Sequence, residues 1–96
     1  MAFFKVMLHG VGIDIPGPSE DRSIIGFYAA RIVRARSPSQ AEERAIGMVL
    51  HTWNRSRQAA GTLGTPPRIT IESLEVSSLL ERLRFKNSGF TFYSRE

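Results

Sequence analysis

The chain has 96 residues, a length that suits one domain with a single modest core. Its 42% hydrophobic and 23% charged residues are the balance of a folded globular protein, and the absence of cysteine excludes disulfides, thiolate metal sites and cysteine nucleophiles. The net charge is +4, with every basic residue except Lys5 and Lys86 an arginine; such charge speaks to solubility and nonspecific attraction of polyanions, not to a fold or a target.

No apolar run approaches the roughly 18 residues of a membrane span, and the N-terminal Met-Ala-Phe-Phe-Lys-Val-Met-Leu-His-Gly lacks the basic start and cleavage site of a secretory signal. The expectation is a cytoplasmic (cytosolic) protein without membrane contact.

In chain order, residues 3–15 read as a strand whose apolar parity changes. Phe4, Val6 and Leu8 occupy even positions, whereas Val11, Ile13 and Ile15 occupy odd ones. A period of two cannot change parity without an extra residue, so a bulge or bend is expected at Gly10–Gly12. The polar Pro-Gly-Pro-Ser-Glu-Asp run after it is a surface loop.

Residues 24–36 form the second expected strand, rich in β-branched and aromatic residues. One parity carries Ile25, Phe27, Ala29, Arg31, Val33 and Ala35; the other carries Tyr28, Ala30, Ile32, Arg34 and Arg36. The first set is expected to face the core, with Arg31 as the misfit that must reach an edge or a carboxylate.

Residues 37–58 give the strongest local signal. Ser37 is placed to cap a helix, Pro38 occupies the first turn, and Gln40 has the spacing to reach back to the Ser37 backbone. At about 100° per residue, Ala45, Ile46, Val49, Leu50 and Trp53 share one face, opposite Glu43, Arg44, Gly47, His51, Asn54 and Arg55. The breakers from Ala59 to Pro67 end the helix near Gly61.

A third strand spans 68–76, where Ile69 and Ile71 differ in parity from Leu74 and Val76, predicting a second irregularity at Glu72–Ser73. Ser78 and Glu81 then have capping-box spacing ahead of an apolar Leu79, Leu80 and Leu83 face, which predicts a short helix. Asn87-Ser88-Gly89 is a turn, and residues 90–93 make a last short strand.

The fold class that follows is α+β: a single domain over residues 1–96 built as a two-layer sandwich. An antiparallel sheet of about four strands (β-β-α-β-(α)-β) carries one main helix on one face. With a right-handed crossover at the long helix, the expected sheet order is second, first, third, fourth. The uncovered face would then hold Phe3, Met7, Tyr28, Ile32 and either Leu74 or Val76. Either a second copy covers it or the segment from Leu79 to Phe92 folds across it.

Functional signals are sparse. His9 and His51 have neither metal-ligand spacing nor a His-Glu motif, and His9-Gly10-Val11-Gly12 lacks the third glycine and following helix of a phosphate loop. No catalytic, cofactor or metal site is expected, and the chain reads as a non-enzyme. The leading expectation is a small protein-interaction module, homodimeric or joined to another protein. The alternative is nucleic-acid binding through Tyr28, Arg31, Arg34 and Arg36, where an aromatic ring stacks bases and arginines pair phosphates. Gly26-Phe27-Tyr28-Ala29 and Gly89-Phe90-Thr91-Phe92 are similar to the aromatic core of the RNA-recognition motif. Ile25 and Ser88 replace its leading basic residue, however, and the element order differs, so no family is assigned.

Overall fold

The computed structural model describes residues 2–16, 23–55, 67–86 and 89–94. Its elements are β1 (Ala2–Pro16), β2 (Ser23–Ala35), α1 (Pro38–Asn54), β3 (Arg68–Ser77), α2 (Leu79–Arg84) and β4 (Thr91–Ser94). The four strands form one antiparallel sheet, and α1 packs on it as expected for an α+β sandwich. The loop after β1, the C-terminal end of the expected 37–58 helix and the breaker segment before β3 lie largely outside the described residues.

α1 starts where its caps place it. Ser37 Oγ accepts from the Gln40 N–H at 3.1 Å, satisfying one of the helix's free donors. Gln40 Oε1 reaches one residue further back than the expected partner, accepting from the Arg36 N–H at 2.7 Å. Ala41, Ala45, Val49 and Trp53, four residues apart, are buried against β1 and β2, and the charged face is exposed. The opposing core is Phe4, Val6 and Leu8 from β1 with Phe27, Ala29 and Val33 from β2.

Both sheet irregularities occur. Against β2, the β1 register shifts between Val11 and Ile15, and Gly12 has φ +85°, a backbone open chiefly to glycine. The expected bend therefore lies just beyond Gly10, which keeps its pairing to Phe27 and Ile69. Gly10 serves packing instead. A Cβ there would come within 2.2 Å of Phe27 Cζ, so the glycine makes room for a ring that stacks on Trp53 at 5.2 Å. In β3, Met7 pairs with Ser73 and Leu8 with Ile71, leaving Glu72 as the extra residue. This bulge keeps Ile69, Ile71, Leu74 and Val76 all on the α1 side, so Leu74 and Val76 do not populate the other face.

The sheet order is β3-β1-β2-β4, not second, first, third, fourth. β4 pairs with β2, because the chain crosses the sheet after β3 and delivers Phe90 and Phe92 to the Phe27–Trp53 cluster. Phe90 meets Phe27 edge-on at 4.9 Å, and Phe92 meets it at 6.1 Å. Aromatic burial on the β2 side, supplementing the modest core of a small domain, accounts for the placement.

Candidate functional site

The crossing segment decides what the second sheet face presents. Ser78 Oγ caps α2 by accepting from the Glu81 N–H at 3.0 Å. Glu81 lies 3.8 Å from Lys5 Nζ, which also sits 5.6 Å from the Phe85 ring centre, so α2 stands over β1 with its polar side inward. Ile32, which pairs with Lys5 and so shares this face, is only 1% exposed. The segment thus stands over part of the face that parity left open, at Lys5, but not with Leu80 and Leu83.

Its leucines turn outward. Leu79, Leu80 and Leu83 are 59%, 57% and 73% exposed, and Val76 at the end of β3 is 74% exposed. The three leucines share one side of the six-residue α2, an apolar stripe of the kind that ordinarily packs on something, whereas Val76 belongs to β3. Aliphatic side chains this exposed, side by side, exceed the scattered apolar exposure of a monomer surface.

The uncovered half of the same face holds a polar aromatic cluster. His9 stacks on Tyr28 with ring centres 4.5 Å apart, its Nε2 is 2.5 Å from Tyr93 Oη, and its Nδ1 is 3.4 Å from Glu72 Oε1. Desolvation, then the neighbouring Tyr28 and Glu72, raises the Tyr93 phenol above its ordinary value. The Tyr93 hydroxyl and His9 Nε2 stand at hydrogen-bonding distance, and Glu72 faces the other ring nitrogen. The phenol is therefore held protonated rather than activated as a nucleophile. Gly26 makes this possible, since a Cβ there would stand 2.2 Å from Tyr93 Oη. The cluster was not legible in the sequence. Parity places His9 and Tyr28 on one face, but Tyr93 joins them only through the β2–β4 pairing.

Beside it, where β4 stops, the outer edge of β2 borders a pocket of about 330 Å³. Met7, Tyr28, Ala30, Phe85, Phe90 and Thr91 form much of its wall, together with Arg31 and Gly89. Arg31 is 1% exposed and reaches an edge rather than a carboxylate. Its Nη1 donates to Ala30 O at 2.8 Å and to Gly89 O at 3.2 Å, and Phe90 lies over its guanidinium at 5.5 Å. Burial lowers its pKa below the ordinary value of a guanidinium.

The remaining members of the arginine row lie elsewhere. Arg34 and Arg36 are exposed, and Arg34 borders a second pocket of about 430 Å³ with Phe3, Ile32, Met48, Arg44 and Arg82. Arg44 Nη1 donates to the Arg34 carbonyl. Tyr28 and Arg31 therefore share one pocket, Arg34 shares another with two arginines from helices, and Arg36 lines neither. His51 is exposed on α1, and among the described residues no group of three or more His, Asp or Glu side chains is placed to hold a metal. Among those residues no helix is long and apolar enough to cross a membrane. Compared with protein-family models, curated proteins and solved structures, the chain matches none.

Proposed function

We propose that this protein is a self-associating interaction module, a homodimer whose contact is built on Leu79, Leu80 and Leu83. The observation that carries the reading is the outward leucine face of α2. A helix with a proper cap and an apolar stripe stands with that stripe in solvent while its Glu81 meets Lys5 of the sheet. A second copy is the simplest occupant, because one two-fold axis packs the stripe against itself and needs no partner of different sequence. A core this small also gains stability from subunit burial.

Light scattering coupled to size exclusion at tens of micromolar tests the reading. The expected mass is twice 10.8 kDa, falling to one copy for Leu80→Glu or Leu83→Glu with helical signal retained. A wild-type mass of one copy at that concentration rejects it.

Nucleic-acid binding is the second reading, favoured by Arg34, Arg44 and Arg82 converging beside Phe3. Three cations at one pocket suit a phosphate backbone better than Arg31, which is buried on the other side of β2. Affinity for single-stranded RNA should then fall steeply with salt, with a shallower slope for Arg34→Ser and Arg44→Ser together.

A further inference from the structure

Arg31 poses a problem of charge. Its Nε and Nη2 are shielded from solvent and make no hydrogen bond, and its two anchoring partners are both neutral carbonyls. A guanidinium does not escape burial by losing its proton at neutral pH, so the charge must be met or its desolvation endured. The unused donors are not scattered. Nε–H and one N–H of Nη2 lie along the same edge of the guanidinium plane, side by side and parallel, the spacing that two oxygens of one carboxylate accept in a fork. Nη1, tied to two carbonyls, fixes the direction in which that edge points.

We propose that the Arg31 pocket binds a monocarboxylate with a flat, apolar body, such as an aromatic acid. Three features select this class. Among the described residues Arg31 is the sole charged one lining the pocket, so one negative charge neutralises it, whereas a phosphate dianion would lack a second cation there. The wall is largely hydrocarbon and aromatic, from Met7, Ala30, Phe85 and Phe90, with the Tyr28 and Thr91 hydroxyls at hand for a further polar group. The volume of about 330 Å³ is that of a small-molecule site.

In the structure the Nε and Nη2 edge is shielded, so binding requires a local rearrangement. Phe90 lies over the guanidinium and must shift for a carboxylate to reach the fork. Phe90 also meets Trp53 edge-on at 5.9 Å, and Trp53 is the single tryptophan of the chain. Occupancy is therefore coupled to tryptophan emission, a readout inside the protein but outside the pocket. The proposal is independent of the dimer, whose leucine patch contributes no residue to this pocket.

Benzoate is the probe, and benzamide, which keeps the ring and removes the charge, is its control. Titration with benzoate should give a saturable change in Trp53 emission and displace the Arg31 Nε–H resonance, while benzamide at equal concentration does neither. Arg31→Met should abolish both responses. In the absence of ligand, that same variant should unfold at a higher temperature than the parent, because it removes a buried charge with no counter-charge. Ala30→Phe, which fills the pocket and leaves Arg31 in place, should weaken benzoate binding at least tenfold. The proposal is overturned if benzamide matches benzoate, if Ala30→Phe binds benzoate as the parent does, or if Arg31→Met lowers the unfolding temperature.

Discussion

The two faces of the sheet carry helices announced by the same signals and use them in opposite ways. α1 has a Ser37 cap and an apolar stripe, and it buries the centre of that stripe: Ala41, Ala45, Val49 and Trp53 are at most 1% exposed, with Ile46 and Leu50 half-buried at its margin. α2 has a Ser78 cap and an apolar stripe, and it leaves that stripe in solvent. A cap decides where a helix begins, and periodicity decides which residues share a side. Neither decides which side meets the sheet. Length makes the difference: α1 runs 17 residues and docks along β1, β2 and β3, whereas the six residues of α2 are held by their flanks, Ser77 paired to Phe3 and Phe85 beside Lys5.

The comparison breaks if equivalent truncations cost the same on both sides. Trp53→Ala should lower the unfolding free energy by about 3–5 kcal/mol, because it removes the ring on which Phe27, Phe90 and Phe92 converge. Leu83→Ala should change it by no more than about 0.5 kcal/mol in denaturant melts at concentrations too low for association. A large loss at Leu83 in that dilute regime would mean that the leucines serve the fold.

The glycines sharpen the contrast. Gly10→Ala drives a methyl into Phe27, a fully buried ring with no room to yield, and should cost about 1–3 kcal/mol by equilibrium unfolding. Gly26→Ala meets the far end of the Tyr93 side chain, which is only half-buried and can swing away, so its cost should be the smaller of the two.

The smallest effect belongs to Tyr93. Its pKa is raised on folding, so above about pH 10 an unfolded chain loses the phenol proton while the folded one keeps it. Stability should thus fall as pH rises from that value toward the folded pKa, and be unaffected by this group below it. Tyr93→Phe should remove an absorbance transition lying above the ordinary 10.0 and flatten the alkaline decline.

Much of the fold was legible in the sequence because it is governed by local rules. The Ser37 start follows from cap spacing, the buried parity of β2 from Arg34 and Arg36 on the other side, and the Glu72 bulge from the parity change within β3. The partner of β4 was not legible, since Phe90 and Phe92 would add a strand to either edge with the same alternation. Everything downstream of that choice was hidden with it. The Tyr93–His9 contact, the Gly89 carbonyl on Arg31 and the pocket at the end of β4 all come from the C-terminal segment crossing to β2. Arg31 itself stood out as a misfit in an apolar row, a signal that named the residue without naming what would meet it.

The pairing of β4 with β2 also sets a timetable for synthesis. Tyr93 follows His9 by 84 residues, and Gly89 follows Arg31 by 58. At translation rates of about 5–20 residues per second, β1, β2 and α1 leave the ribosome several seconds before the strand that closes their sheet. During that interval the outer edge of β2 offers unpaired backbone groups to any neighbouring chain, and Phe27 and Trp53 lack the two rings that later flank them. The nascent protein thus passes through a stage more prone to aggregation than the finished one, and the rate at which residues 56–94 are delivered governs how long it lasts.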